Sequence, residues 1–182
     1  EKLGSVDILV NNAGIQHTAS VEEFPEEKWH QVIAINLSGI FFAIQAALPH
    51  MKKKGFGRII NIGSVHGLIA SKHKAAYVAA KHGVVGLSKV VALENAGTGI
   101  TSNTICPGWV HTPLVQKQIE AMAEEQGISV EAATEKLLIE KQPSKQFATP
   151  EQMGELAAFL SSEAAAQITG TAIPVDGGWT AQ

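Results

Sequence analysis

The sequence lacks the features that would place it in several common classes of protein. It has a single cysteine, Cys106, so no disulfide can form within the chain, which suits a reducing, cytoplasmic setting. The formal net charge is −3 and the pI is about 6.2. This balance gives no electrostatic basis for binding nucleic acid or an anionic membrane, so we expect neither as a partner.

Metal ligands and long apolar segments are also scarce. The seven histidines are scattered, and none forms an H-x3-H pair with a carboxylate partner, so no metal site is predicted. No uninterrupted apolar run approaches the roughly 20 residues of a membrane-spanning helix. The sequence therefore predicts no membrane span.

A phosphate-binding glycine loop of the form G-x-G-x-x-G is absent. Its nearest equivalent, Gly97-Thr98-Gly99, lies between a predicted helix and a strand, the reverse of the order such a loop needs. The chain also begins within a few residues of a buried-type strand. We therefore expect residues 1–182 to be the C-terminal part of one longer domain, with an unpaired sheet edge beside Ile8-Leu9-Val10.

Four short apolar runs are typical of buried parallel strands. Longer stretches with helical periodicity, at about 25–54 and 74–96, separate them. Strands that alternate with helices predict an α/β fold, a Rossmann-type doubly wound parallel sheet that is incomplete at its N-terminal half. The predicted strands are Asp7–Asn11, Gly57–Ile62, Ser102–Cys106 and Thr171–Val175.

One segment, about 112–147, interrupts the alternation. It is long, charged and helical, and exceeds what a connection between a strand and a helix needs. It begins directly after the Pro107-Gly108-Trp109 turn, which favours a helical lid over a substrate site; the alternative is a peripheral helical pair. A final helix is predicted from Pro150 to about Leu160, with Thr149 as its N-cap.

Polar and glycine-rich turns follow each predicted strand. Because ligands bind at the carboxyl ends of strands in open α/β sheets, we expect these turns to form one site. They are Asn11-Asn12-Ala13-Gly14, Ser64, Pro107-Gly108-Trp109 and Asp176-Gly177-Gly178-Trp179.

Tyr77 and Lys81 supply the chemistry that this site needs. A helix places residues i and i+4 on one face, so the phenol and the ammonium group converge. The cation is predicted to lower the pKa of Tyr77 and make it a general acid/base near neutral pH. Ser64 would hold the reacting oxygen beside it. Taken alone, the i, i+4 spacing of Tyr77 and Lys81 also fits an accidental tyrosine–lysine pair on a surface helix.

These motifs, in this order, resemble the short-chain dehydrogenase/reductase family from Asp7 to Gly178. The resemblance implies hydride transfer between a secondary alcohol and a nicotinamide, with Asn36 as a fourth member that holds a relay water for Lys81. The alternative for Asn36 is a buried amide that satisfies backbone groups. The implied cofactor-binding residues are Asn12, Ala13, Gly14, Tyr77, Lys81, Pro107, Gly108, Val110 and Thr112.

A second group of residues bears on the substrate. Lys74 is a cation that a small carboxylate would require, and it lies among hydrogen-bonding neighbours. Trp109 and Trp179 could form an apolar wall for a short alkyl group. Lys74 could instead be solvated, and His66 could be an ordinary loop histidine. The predicted substrate-binding residues are Gln16, His66, Lys74, Trp109, Gln118 and Trp179.

This second group, with the ending Asp176–Gln182, resembles the D-3-hydroxybutyrate dehydrogenase subfamily. That resemblance implies NAD-dependent oxidation of (R)-3-hydroxybutyrate to acetoacetate. It also implies a homotetramer whose main interface uses the helices that carry Asn36 and Tyr77. Two alternatives stay open: a 3-oxoacyl thioester reductase of the same family, acting on acyl-carrier-protein or CoA esters, and a non-catalytic fragment.

Overall fold

The four predicted strands form one parallel sheet in the order β1-β2-β3-β4. The computed structural model describes residues 4–181, so Gln182 of the closing motif lies outside the described residues. The α/β fold and parallel sheet are confirmed, and β3 is longer at both ends than predicted. The strands are β1 (Ile8–Asn11), β2 (Gly57–Ile62), β3 (Ile100–Pro107) and β4 (Ala172–Val175).

Helices cover both faces of this sheet. Those that flank the sheet or extend from its edge are α1 (Glu26–Ile33), α2 (Gly39–Lys54), α3 (Ala75–Glu94), α4 (Pro113–Gln126), α5 (Val130–Lys141) and α6 (Pro150–Ser161). Thr149 caps α6 as predicted, in a capping box with Gln152. A π-helical turn, Ala34–Ser38, joins α1 to α2.

Alternating side chains of β2 anchor the two helical layers. Ile59 packs with α2 and α3 on one face, whereas Ile60 packs with α6 on the other. Successive strand residues point to opposite faces, so the continuous apolar run of a buried strand serves both layers. The doubly wound arrangement thus follows from the composition of β2.

The outer edge of the sheet is exposed. Within residues 4–181, β1 pairs with β2 alone, and Ile8 and Val10 are 48% and 47% exposed. This confirms the predicted unpaired edge with apolar surface beside it.

The segment predicted as a lid is helical and has its own small core. Val115, Ile119 and Ala123 of α4 pack against Ala133 of α5, and Trp109 lies against this cluster. This cluster shares no residue with the two that flank the sheet. The helical pair therefore packs around a core of its own, with the turn that carries Trp109 against it.

Two helical stretches, Glu26–Lys54 and Ala75–Glu94, have the length and apolar composition of a membrane-crossing segment. Scattered polar residues interrupt the apolar runs of both stretches without changing their overall composition, and the absence of a membrane span stays a prediction. Both stretches contribute side chains to the core against the sheet, such as Ile44 and Val84. Core helices of globular proteins share this composition, so the finding is weak evidence for a membrane segment.

Candidate active site

A cavity of about 290 Å³ opens at the carboxyl ends of the strands. The turns after β1, β2 and β3 line it, together with α3, α4 and Trp179. Every predicted site residue lies in its wall except Ala13 and Asn36. The sheet thus brings together residues that are more than 160 positions apart in the sequence, from Asn12 to Trp179.

Ser64, Tyr77 and Lys81 share one wall of this cavity. Ser64 follows β2 and caps a short 3₁₀ turn, Val65–Gly67. The Lys81 Nζ lies 5.5 Å from the centre of the Tyr77 ring and donates a 2.7 Å hydrogen bond to the Ile62 carbonyl. The structure therefore places the predicted proton-transfer group in one place, as the i, i+4 spacing indicates.

The predicted effect of Lys81 on Tyr77 was wrong for this arrangement. Burial raises the pKa of Tyr77 above its usual value, and a hydrogen bond with Ser64 opposes that rise only in part. The Lys81 ammonium group is directed to the Ile62 carbonyl, which reduces its influence on the phenolic oxygen. Proximity on a helix did not reveal this competing acceptor.

Lys81 carries the larger perturbation of the pair. Burial lowers its pKa to about 8, because the charged form loses its hydration, and only 3% of the residue is exposed. Lys81 is therefore the group of this wall that exchanges a proton closest to neutral pH.

Asn36 lies behind the cavity wall and is fully buried. Its Oδ1 accepts a 2.9 Å hydrogen bond from the Ile15 backbone N–H, and its Nδ2 donates a 2.8 Å bond to the Ile15 carbonyl. It lies in the π-helical turn, an irregularity that often accompanies functional sites. Asn36 thus clamps the loop after β1; the relay water stays a prediction.

The loop after β1 brings backbone close to Lys81. A methyl group added at Gly14 would lie 3.9 Å from Lys81 Nζ and 3.7 Å from Asn36 Oδ1. Gly108 is more constrained, since an added Cβ would lie 2.7 Å from Gln142 Oε1 and 2.9 Å from Asp176 Cα. Gly108 therefore permits the close approach of the turn after β3 to Gln142 and Asp176, whereas Gly14 lies at ordinary contact distance from Asn36 and Lys81.

Thr112 and Val110 lie at the start of the helical segment. The Thr112 side chain accepts a 3.3 Å hydrogen bond from the Val115 backbone N–H and so caps α4. Val110 forms a parallel bridge with Ala148, at the far end of the segment. Asn12 and Pro107 complete the predicted cofactor positions in the wall, whereas Ala13 does not line the cavity.

His66 is buried and touches both groups of residues. Its ring meets Tyr77 edge-on at 5.9 Å and Trp179 at 5.7 Å. Burial lowers its pKa to about 4, and the nearby Lys74 charge acts in the same direction. The ring is therefore neutral at physiological pH, with Nδ1 3.3 Å from Ser64 Oγ and Nε2 2.9 Å from Ser71 Oγ.

Lys74 and the two tryptophans, Trp109 and Trp179, line the side of the cavity opposite Ser64, Tyr77 and Lys81. Trp109 and Trp179 stack with ring centres 6.1 Å apart, and Lys74 Nζ lies 5.7 Å from the centre of the Trp109 ring. Burial lowers the pKa of Lys74, with a smaller contribution from Lys141. Gln16 and Gln118 line the cavity from exposed positions. All six predicted substrate residues therefore face the same space.

Comparison with known proteins agrees with this geometry. Residues 1–180 match the family model described as Enoyl-(Acyl carrier protein) reductase. The chain is 62% identical to the D-beta-hydroxybutyrate dehydrogenase of Cupriavidus necator over 98% of this chain and 69% of that protein. It is 56% identical to the Rhizobium meliloti enzyme of the same name over all of this chain and 70% of that protein. The chain belongs to the short-chain dehydrogenase/reductase family.

Other members of the family are more distant. The acetoacetyl-CoA reductase of Rhizobium meliloti is 39% identical over 97% of this chain and 68% of that protein. A solved structure from Agrobacterium tumefaciens, provisionally named 2-deoxy-D-gluconate 3-dehydrogenase, superimposes with a TM-score of 0.84 at 38% identity. The superposition covers 97% of this chain and 68% of the other, and the Agrobacterium tumefaciens structure contains bound NADP.

Dehydrogenases of the short-chain family use a nicotinamide cofactor, and the wall around Gly14 and Lys81 fits the nicotinamide end. Gly14 leaves backbone accessible beside the Lys81 ammonium group, which can donate hydrogen bonds to a sugar hydroxyl. Thr112 and Val110 line the same cavity. These residues would hold the ring that accepts the hydride.

Sequence reasoning missed the segment that supports the tryptophans. Gln142, which is 1% exposed, accepts a 2.9 Å hydrogen bond from the Trp109 backbone N–H and donates to the Gln146 carbonyl. The Ser144 backbone N–H donates to the Gly177 carbonyl at 2.9 Å. The end of α5 therefore braces the turns that carry both tryptophans. A glutamine in a charged helical stretch gave no signal of this role.

We expect Gln142→Ala to destabilise the protein by about 1–3 kcal/mol, because it leaves the partly buried backbone N–H of Trp109 without its acceptor. Urea unfolding measures this loss of stability, provided that the slope of the unfolding free energy against urea concentration is the same in both proteins. Gln126→Ala, at the exposed end of α4, is the matched control. A Gln142→Ala midpoint equal to that of the control would contradict the bracing role.

Proposed function

We propose that the protein oxidises (R)-3-hydroxybutyrate to acetoacetate with NAD⁺, and catalyses the reverse reduction. The observation that carries this proposal is the single cavity in which Ser64, Tyr77 and Lys81 face Lys74 and two stacked tryptophans. A proton-transfer group lies on one side and a cation with an apolar wall on the other. A short acid with a hydroxyl group and a small alkyl end satisfies both.

The carboxylate end of the substrate is assigned to Lys74, with Gln16 and Gln118 as further donors. Burial already lowers the pKa of Lys74, so an anionic partner would stabilise its charged form. His66 is the fourth residue assigned to this end of the substrate, and its Nδ1 lies 3.3 Å from Ser64 Oγ. The methyl end would contact Trp109 and Trp179, whose stacked rings offer apolar surface.

Proton transfer is assigned to Tyr77. During oxidation its phenolic oxygen takes the proton of the substrate hydroxyl, while the nicotinamide supplies an acceptor for the hydride that leaves the same carbon. Ser64 donates a hydrogen bond to the reacting oxygen and fixes its position. Lys81, whose pKa burial lowers to about 8, exchanges protons with the phenol.

A thioester reductase is the alternative within the family. Its substrate has no free carboxylate, so the half-buried Lys74 would have no anion to bind. The lower identity to the acetoacetyl-CoA reductase also favours the hydroxy acid. NAD rather than NADP, a cytoplasmic location and the lid role of residues 112–147 belong to the same proposal.

The test is NADH formation from NAD⁺ with (R)-3-hydroxybutyrate, with the S enantiomer as the control. We expect turnover of the R form only, and little activity when NADP⁺ replaces NAD⁺. The reverse assay compares acetoacetate with acetoacetyl-CoA. Preference for the thioester would overturn the assignment in favour of the reductase.

Lys74→Met should raise the KM for 3-hydroxybutyrate by about 10- to 100-fold, because it removes a charge-assisted hydrogen bond of roughly 1.5–3 kcal/mol. The affinity for NAD⁺ should change little. Lys72→Met, an exposed lysine two residues away, is the matched control. An effect confined to NAD⁺ affinity would contradict the carboxylate role.

We also propose a homotetramer whose main interface uses the helices that carry Asn36 and Tyr77. Large apolar side chains on these helices are exposed in the single chain: Phe42 is 60% and Leu93 80% exposed. Such side chains cluster at interfaces between subunits. Sedimentation of the full-length protein tests this, and a monomer at micromolar concentration would refute it.

A further inference from the structure

The loop after β1 is fastened to the protein on both sides of Gln16. On one side, the Ile15 backbone N–H and carbonyl are bonded to the Asn36 side chain at 2.9 Å and 2.8 Å. On the other side, the Ala19 backbone N–H donates a 3.0 Å hydrogen bond to the His73 carbonyl. Gln16 therefore lies on a short segment that is held at both ends.

His73 has an uncommon backbone conformation. Its φ of 65° lies in the left-handed region, where the side chain crowds the following carbonyl oxygen. Histidine and asparagine adopt this region several-fold more often than most residues, whereas a β-branched residue there is an outlier. The next residue is Lys74, which forms a parallel bridge with Ala19. The left-handed residue is thus followed at once by the cation of the proposed carboxylate site.

We propose that His73 is a positioning residue for the substrate carboxylate. Its left-handed backbone directs its carbonyl to Ala19 and sets the chain before α3 so that Lys74 and Gln16 line the cavity together. This inference rests on the proposed function, in which both side chains bind the carboxylate. His73 itself is exposed and lies outside the cavity wall, so the role belongs to its backbone and not to its ring.

The Lys74 side chain depends on this backbone for its direction. Its ammonium group lies 5.7 Å from the centre of the Trp109 ring and, within residues 4–181, has no hydrogen-bond or ion-pair partner. If His73 left the left-handed region, the bridge to Ala19 would break, and Lys74 and Gln16 would no longer be held side by side. Substrate would then bind only the fraction of molecules in which they converge, and its apparent affinity would fall by that fraction.

Four substitutions of His73 in the full-length protein, all of which remove the imidazole, test the proposal. Asparagine and glycine tolerate the left-handed region, alanine adopts it at a cost, and valine opposes it most. We expect His73→Asn and His73→Gly to keep the KM for 3-hydroxybutyrate within about twofold, since glycine populates both signs of φ about equally. His73→Val should raise it about 5- to 30-fold, equivalent to about 1–2 kcal/mol at 1.4 kcal/mol per tenfold. His73→Ala should lie between, with kcat and the affinity for NAD⁺ little changed in all four.

Lys72→Val places the same β-branched side chain at an exposed neighbouring position whose φ is not positive, and is the control. The order of the four variants separates the backbone from the ring. An equal rise of KM in all four would assign the effect to the imidazole and overturn the proposal. An unchanged KM in His73→Val would overturn it as well.

Hydrogen exchange of the Ala19 amide, followed by mass spectrometry of the peptide that spans residues 15–20, tests the same contact without substrate. We expect exchange in His73→Val to be about 5- to 30-fold faster than in His73→Asn, because the bond to the residue 73 carbonyl opens more often. Equal exchange in the two variants would overturn the inference. Absence of 3-hydroxybutyrate turnover by the unmodified protein would instead refute the proposed function.

Discussion

Tyr77→Phe is expected to reduce turnover of 3-hydroxybutyrate by about 10²–10⁴-fold, the range that general acid–base catalysis contributes. The substitution removes the oxygen that takes the substrate proton and leaves the ring in place. Because the edge-on contact with His66 involves only the ring, the cavity wall should be preserved. The change should therefore appear in kcat, with little effect on KM or on NADH binding.

Single-turnover measurement of NADH formation gives the rate of the chemical step, and fluorescence gives the affinity for NADH, so the two effects are separated. Turnover by Tyr77→Phe within tenfold of the unmodified protein would show that another group transfers the proton. A lost NADH affinity would instead indicate a structural role for the phenol.

The sheet and the composition of the cavity wall were predictable because they depend on short-range patterns. An apolar run followed by a polar turn marks a strand and its carboxyl end, and parallel strands bring those ends together. Ser64, Trp109 and Trp179 could therefore be placed at one site without a structure. The i, i+4 spacing placed Lys81 beside Tyr77 in the same way.

Contacts that depend on long-range packing could not be predicted. The Ile62 carbonyl that accepts from Lys81, and the brace that Gln142 gives Trp109, join segments distant in sequence. Neither acceptor is marked by residue type, since every residue carries a carbonyl and glutamines are common on helix surfaces. The π-helical turn at Asn36 was likewise hidden, because its apolar pattern matches that of an ordinary helix.

The direction of pKa changes was the least predictable property, since burial and charge act in opposite directions on Tyr77. The sequence shows that a cation is near but not how much water surrounds the phenol. In the structure, burial raises the pKa of Tyr77 and lowers that of Lys81 to about 8. Lys81 is therefore the member of this pair that loses a proton near pH 8.

This leads to an expected pH dependence with opposite signs in the two directions. Oxidation needs the pair with one proton removed, so its rate should rise as pH passes through about 8, the pKa of Lys81. Reduction needs the proton, so its rate should fall over the same interval. His66, with a pKa of about 4, does not titrate there. Single-turnover rates from pH 6 to 10 measure both profiles.

Lys81→Met should remove this inflection, because the remaining phenol has a pKa raised above its usual value of 10 by burial. At pH 7.5 oxidation should then fall by at least about 100-fold, since each pKa unit changes the ionised fraction tenfold. Lys89→Met, an exposed lysine on the same helix, is the control. The chain has one tyrosine, so ultraviolet absorbance corrected with Tyr77→Phe follows its ionisation directly.

The pH dependence of the rate and the ultraviolet titration of the phenol together decide which group causes the inflection of the pH–rate profile. Phenol ionisation near pH 8 in the unmodified protein, shifted above 10 in Lys81→Met, would show that the ammonium group stabilises the phenolate when the two share one proton. An inflection near 8 that persists in Lys81→Met but disappears in Lys74→Met would assign it to the substrate cation, whose pKa burial also lowers. The proton released near pH 8 would then come from Lys74 in the substrate site. Tyr77 would act as the general base with its raised pKa, without help from Lys81.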